Sequence, residues 1–224
     1  MRNIELNFFN KLHKKTRRDY LERMTPEKPY IVKKSKKYGR LYWDGDRKYG
    51  YGGYYYDGRW KSVAKKIINK FRLSESSKIF DIGCGKCFLL YEIKLLLPKI
   101  EIYGLDISKY ALKKSEFNKN IKLIHGNIIN KQQFPDKYFD LILSFNCLHN
   151  LEIFNLIKAL KEIERISKSK YIVVESYRNE FELQNLQCWA LTAETFFSKK
   201  EWQWIFDKYL LNYYYEFIYF ENAS

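Results

Sequence analysis

The sequence predicts an α/β fold built on a largely parallel sheet, and three observations predict it. From residue 77 onward, short apolar runs alternate with segments of helical periodicity. One of these runs, 78–82, leads straight into a glycine-rich turn and then a helix. The following run closes on an acid, Asp106. Strands that alternate with helices are joined by crossovers, which lay them side by side in one parallel sheet.

The elements justify themselves in order along the chain. Phe8, Phe9 and Leu12 predict a short amphipathic helix whose other face is basic, with Lys11, Lys14, Lys15, Arg17 and Arg18. The stretch 49–60 is dense in tyrosine and glycine. Glycine permits left-handed turns, and tyrosine supplies rigid contact area with a polar tip, so a loop that folds over a ligand is predicted there. Residues 1–60 are read as an N-terminal extension and lid, and residues 61–224 as the main domain. Within the latter, 78–82, 100–105, 121–125, 139–144 and 171–175 read as buried strands. Residues 88–97, 109–117 and 153–166 read as helices; in the last, Leu156, Ile157, Leu160, Ile163 and Ile166 share a face. Ser198 and Glu201 have capping-box spacing and open a helix carrying Trp202, Ile205, Phe206 and Tyr209. A last strand over 213–221 is expected to join the sheet antiparallel at one edge.

Composition narrows the function classes. The 224 residues are 46% hydrophobic, which excludes a wholly disordered chain and supplies a sizeable core. No run of 18 apolar residues exists, so no membrane span is expected, although a peripheral surface contact is left open. No long apolar segment follows the charged N-terminus, so no secretory leader is expected. Cys84, Cys87, Cys147 and Cys188 lack a disulfide-scaffold rhythm and fit a reducing, cytoplasmic location. The net charge of +15 is local: residues 1–75 hold 21 Lys+Arg against 8 Asp+Glu, and the rest hold 20 against 18. A localised basic segment argues for an anionic partner better than an overall charge does.

The chemistry-bearing motif is Asp81-Ile-Gly83-Cys84-Gly85-Lys86-Cys87, between strand and helix. Its glycines let a ligand approach the backbone, and Asp106, ending the second strand, is placed to take both ribose hydroxyls. Rival motifs fit less well. A dinucleotide fingerprint needs a third glycine where Phe88 stands, and a P-loop needs Ser or Thr where Cys87 stands. Cys84 and Cys87 formally match a redox C-x-x-C but lie inside the ligand loop; no metal is expected.

These residues resemble the class I S-adenosylmethionine-dependent methyltransferases over roughly residues 60–221. The resemblance implies a Rossmann-like, mostly parallel seven-stranded sheet, with 61–224 as the methyltransferase domain and S-adenosyl-L-methionine as cofactor. Asp81, Gly83 and Gly85 match the family's D-x-G-x-G-x-G, with Cys84 between the glycines and Cys87 replacing the last glycine. The resemblance further implies that Asp106 holds the ribose and Asn127 the adenine amino group, with Ile107 and Ile128 flanking the ring. The segment 138–149 is similar to the family's fourth motif, which places Ser144, Phe145 and Asn146 at a strand tip facing cofactor and acceptor.

In-line transfer of an activated methyl depends mostly on holding the acceptor close and aligned, worth about 7–11 kcal/mol in favourable cases. A hydroxyl acceptor also gains from a base, on the order of 10²–10⁴-fold. His149, just after the fourth strand, is the candidate base; its other reading is a binding or exposed histidine at a helix start. Glu175 and Tyr177 end the fifth strand at the ligand edge and are candidate acceptor contacts. Arg47 and Arg59 bracket the tyrosine-glycine loop and suit an anionic acceptor, with Tyr49, Tyr51 and Tyr54 closing over it. A second resemblance, carried by 42–60 and 189–196, is to bacterial methyltransferases associated with surface polysaccharide synthesis. It implies O-methylation of a sugar, a sugar nucleotide or a phosphoryl-type group. Nucleic acid is not the expected acceptor, since Ser144-Phe145-Asn146-Cys147 departs from both the D/N-P-P-Y/F and Pro-Cys patterns. An RNA methyltransferase and a non-catalytic cofactor-binding protein are the alternatives.

Overall fold

A computed structural model describes residues 3–13, 19–115 and 120–221. The strands are β1 (Ile4–Glu5), β2 (Lys78–Ile82), β3 (Glu101–Asp106), β4 (Lys122–His125), β5 (Phe139–Phe145), β6 (Ser167–Glu175) and β7 (Tyr213–Ile218). They form one sheet in the order β1-β7-β6-β5-β2-β3-β4, and every adjacent pair is parallel. The order reverses between β2 and β5, which puts a ligand crevice beyond their carboxyl ends.

The helices are α1 (Asn10–His13), α2 (Lys28–Ser35), α3 (Arg40–Asp44), α4 (Lys61–Phe71), α5 (Phe88–Leu96), α6 (Lys109–Lys113), α7 (Ile153–Ile166), α8 (Glu180–Trp189) and α9 (Lys199–Tyr209). A parallel sheet must be covered on both faces, and successive strand residues serve opposite sides. Phe80, Ile172 and Val174 pack with α7 (Leu156, Leu160, Ile163) and α9 (Trp202, Ile205, Phe206). Ile79, Tyr171 and Val173 pack with α4 (Val63, Ile67) and α5 (Leu90, Ile93).

The expected antiparallel last strand is overturned. β7 pairs parallel with β6, Tyr171 opposite Tyr214 and Val173 opposite Glu216. The reason is the connection: α8 and α9 lie between the two strands, and a helical crossover returns the chain to its starting end. The capping box is present, with Ser198 accepting the Glu201 N–H and Glu201 accepting the Ser198 N–H. β7 ends at Ile218, short of the 221 expected, and β6 begins at Ser167, directly after α7.

The N-terminal residues are built into the sheet. Ile4 and Glu5 pair with Tyr214 and Tyr215 as an edge strand not expected from the sequence. Phe9 is buried in the α4–α5 side of the core. Of the basic helix expected here, α1 covers Asn10–His13, and Lys14, Lys15, Arg17 and Arg18 lie outside the described residues. Phe117, at the end of the helix expected over 109–117, also lies outside them; α6 ends at Lys113.

Candidate active site

β2 turns into α5 through Gly83 and Gly85, at φ 76° and 55°. A Cβ on Gly85 would lie 2.7 Å from the Trp43 ring, and one on Gly83 2.7 Å from Cys147 Cβ, so packing and conformation both require glycine. Cys87 occupies the third glycine's place and adopts the same left-handed backbone, φ 65°, with its side chain buried. Asp106, at the tip of β3, accepts the Gly85 N–H (2.7 Å) and the Ser108 N–H (2.7 Å), tying the two ligand loops together. Burial raises its pKa. Asp81 is more extreme. It is 4% exposed, and its Oδ1 has no hydrogen-bond partner among the described residues. Burial and the Asp106 charge push its carboxyl up to about 8.

A cavity of about 230 Å³ lies over these strand tips, lined by Gly83, Asp106, Ile107, Asn127, Ile128 and Phe145 among others. A narrower space of about 60 Å³, lined by Asp81, Cys84 and Gly85, continues from it and shares Gly83, Phe145 and Asn146. Ser144 lines neither; it is fully buried beneath them. The apolar flanks, the Asp106 carboxylate and the unpartnered Asp81 oxygen fit the adenosyl and amino-acid parts of S-adenosylmethionine.

The roof comes from the N-terminal segment. Trp43 stacks on Tyr51, with centroids 5.2 Å apart, and donates its indole N–H to Ser108 Oγ (3.0 Å). Tyr54 lines the narrow space and its hydroxyl accepts the Trp60 N–H. The anchor is Asp44, whose carboxylate meets Lys86 Nζ at 2.6 and 2.8 Å and Tyr110 at 2.9 Å. Neither Trp43 nor the Asp44–Lys86 pair was singled out from sequence. The run 42–60 marks the segment but not which of its side chains turn toward the glycine loop.

A second chamber, about 140 Å³, adjoins the first through Tyr42, Tyr51 and Asn146. Arg23, Arg47, Glu175 and Trp189 are among the residues of its other walls. Through Arg23, Arg47 and Leu191 it continues into an outer chamber of about 540 Å³. Arg23 donates to the carbonyls of Trp189, Arg47 and Gly50, and its guanidinium lies 3.7 Å above the Trp189 ring. Burial and the Arg47 charge pull its pKa down to about 10. Arg47 donates through Nη1 to the carbonyls of Gly50 and Tyr51. Among the described residues neither arginine forms an ion pair with a carboxylate. Arg23 carries no motif that reveals it; fold alone brings it to Arg47 and Trp189.

The other expected site residues fall into place around these chambers. His149 is 3% exposed and lines none of the three. It stands behind Glu175: its Nδ1 accepts the Glu175 N–H at 3.3 Å, and its Nε2 is 3.5 Å from Glu175 Oε2. Burial lowers its pKa, which keeps the imidazole neutral with its proton on Nε2. Arg59 is paired with Asp57, Tyr49 accepts the Ser35 hydroxyl through its carbonyl, and Tyr177 bridges to Ser198. These three line none of the chambers. Among the described residues no group of three or more His, Cys, Asp or Glu is placed to hold a metal, and no helix is long and apolar enough to cross a membrane.

Comparison with known proteins places this geometry. The methyltransferase domain family matches residues 73–209, more than half of the chain. Demethylmenaquinone methyltransferase of Geobacillus sp. (strain WCH70) is 32% identical over 117 residues, covering 49% of this chain and 47% of its own. Ribosomal RNA small subunit methyltransferase C of Buchnera aphidicola is 33% identical over 103 residues, covering 44% and 30%. The chain thus spans a third to a half of the length of these relatives. The plantazolicin methyltransferase BpumL, solved with a desmethyl analogue and SAH, shares the fold at a TM-score of 0.51 and 20% identity, covering 66% of this chain and 61% of its own. With the matched span running from before the glycine loop to beyond Glu175, the protein belongs to the methyltransferase domain family.

Proposed function

We propose that the protein methylates a small anionic acceptor held in the arginine-lined chamber beside the cofactor cavity. The observation that carries this reading is the shared wall: Tyr42, Tyr51 and Asn146 line both spaces. The cofactor, when bound, supplies an electrophilic methyl group. Asp106, Asn127, Ile107 and Ile128 hold and orient its nucleoside, and Asp81, Gly83, Cys84 and Gly85 receive its amino-acid end. Trp43, Tyr51 and Tyr54 exclude water from above. Arg47 faces the acceptor's negative charge, with Arg23 bracing the loop that carries it. Glu175, not His149, faces the acceptor, and takes the proton from a hydroxyl acceptor. His149 acts on that proton through Glu175, by orienting its carboxylate.

The sugar-linked acceptor of surface polysaccharide synthesis shares this anionic chemistry, and no relative named above acts on one. An RNA acceptor is the second reading, favoured by the basic N-terminal segment and by the ribosomal RNA methyltransferase among the relatives.

Calorimetry with S-adenosylmethionine tests the first half. Asp106→Ala is expected to weaken binding about tenfold or more, the worth of a charge-assisted hydrogen bond. Unchanged affinity sinks the cofactor assignment. For the second half, sugar nucleotides, phosphorylated metabolites and hydroxy acids are incubated with enzyme and cofactor and examined by mass spectrometry for a gained methyl. Submicromolar RNA binding that falls steeply with salt would favour the second reading.

A further inference from the structure

We propose that the inner chamber is a subsite for one ring bearing a single negative charge, with the methyl-accepting atom and the anionic group at opposite ends of that ring. This rests on the reading of the chamber as the acceptor site.

Size sets the first limit. The chamber holds about 140 Å³, and cavities of about 150 Å³ accommodate one benzene ring. A single six-membered ring fills it, and any longer substituent continues into the outer chamber of about 540 Å³.

Polarity sets the orientation. One end of the chamber is the wall shared with the cofactor cavity, Tyr42, Tyr51 and Asn146. Asn146 is held at φ 54°, in a left-handed conformation uncommon for a residue with a side chain. Asn146 lines both spaces and is half-buried, with its amide Oδ1 turned into the protein. Methyl transfer must occur at this shared wall, so the methyl-accepting atom of the ring lies there, beside Tyr42, Tyr51 and Asn146. The other end is Arg23 and Arg47, shared with the outer chamber. Arg47 donates to the protein through Nη1 and lies 5.3 Å from the centre of the Trp189 ring; its Nε and Nη2 donate to no described residue. That edge of a guanidinium is the fork that binds a carboxylate through two parallel hydrogen bonds. Arg23, by contrast, is committed to three backbone carbonyls and acts as a positioning residue for the Arg47–Gly50 loop.

Charge sets the valence. The chamber walls carry Arg23, Arg47 and Glu175, two cations and one anion. A monoanion neutralises the remainder. A dianion leaves one excess negative charge in the same small, partly enclosed space as Glu175, where like charges repel strongly across the ring. Glu175 is therefore also a specificity determinant: it makes the chamber favour a carboxylate over a phosphate monoester.

The test is isothermal titration of the full chain, saturated with S-adenosylhomocysteine, with para-hydroxybenzoate, ortho-hydroxybenzoate, para-hydroxybenzamide and para-hydroxyphenyl phosphate. Para-hydroxybenzoate should bind about tenfold or more tightly than its neutral amide, and more tightly than the ortho isomer and the phosphate. Arg47→Gln should erase the advantage over the amide. Arg47→Lys, which keeps the charge without the fork, should retain part of it. Glu175→Gln should reverse the order of carboxylate and phosphate. Thermal midpoint and S-adenosylhomocysteine affinity report whether each variant is folded. Equal binding of acid and amide, no preference for para over ortho, or no measurable binding of any probe overturns the proposal. Absence of S-adenosylhomocysteine binding by the wild type instead overturns the functional reading on which it rests.

Discussion

Asp81 shows how much one residue can reveal and withhold. Its place two residues before Gly83 is a local signal, legible because a strand, a turn and a helix follow one another without interruption. Its protonation is a property of the folded molecule. Burial lifts its pKa from the usual 3.8 to about 8, so the folded protein keeps a proton that the unfolded chain gives up. The folded state therefore loses stability as pH rises from about 4 to about 8. Asp81→Asn removes the ionisable group. In thermal melts of the ligand-free protein, the variant should match the wild type near pH 4 and melt higher at pH 8. A parallel pH dependence for the two proteins would mean that Asp81 is ionised at neutrality. Asp106, Asn127 and Ile128 were legible in the same way, as residues at strand tips. Arg23 was not, because nothing in its surroundings in sequence distinguishes it from the other cations of a basic segment.

At the scale of elements, all five strands expected between residues 78 and 175 exist, within a few residues of their expected bounds. Helix α7 matches the expected range, Ile153–Ile166, because an amphipathic face of that length is unambiguous. Strand direction was the part that failed. Apolar alternation reports burial and not orientation, and the orientation of β7 follows from the helices that precede it. The lid shows a further element-level effect. Lys86 and Asp44 are nearly excluded from solvent, at 5% and 13% side-chain exposure, and Lys86 also donates to the Tyr54 carbonyl (2.7 Å). The pair clamps the 40–54 segment onto the glycine loop. Lys86→Met leaves the Asp44 carboxylate without its cation, at a cost on the order of 3 kcal/mol in urea unfolding. The double variant with Asp44→Asn should recover much of that loss; simple additivity of the two would show that they do not act as a pair.

At the scale of the whole molecule, the N-terminal residues and the last strand are held together by one carboxylate. Glu216, on β7 and fully buried, accepts the N–H groups of Phe8 (2.8 Å), Phe9 (3.0 Å) and Asn10 (2.6 Å) and the Tyr171 hydroxyl. Glu216→Ala strands those donors and should destabilise the fold by on the order of 3 kcal/mol, with hydrogen exchange accelerated at residues 8–10. Exchange there at the wild-type rate would show that the N-terminal strand is held without it. The charge of +15 gains a structural context at this scale. Two cations of the basic N-terminal part, Arg23 and Arg47, line the inner chamber, whereas Arg59 pairs with Asp57 at the surface.

By itself the sequence determined the arrangement of the glycine loop, Asp106 and Asn127. Those residues lie at consecutive strand tips, and the order of elements along the chain dictates their arrangement in space. Arg47 and Glu175 were candidate contacts from sequence, but only the tertiary structure joined them with Arg23 and Trp189 in one chamber. Arg23, Arg47, Glu175 and Trp189 come from four separated segments and meet because the N-terminal segment folds back over the sheet's carboxyl edge. It also decided that Glu175 faces the chamber while His149 stands behind it. A side chain's direction at a strand end depends on the packing around it, which no spacing in the sequence records.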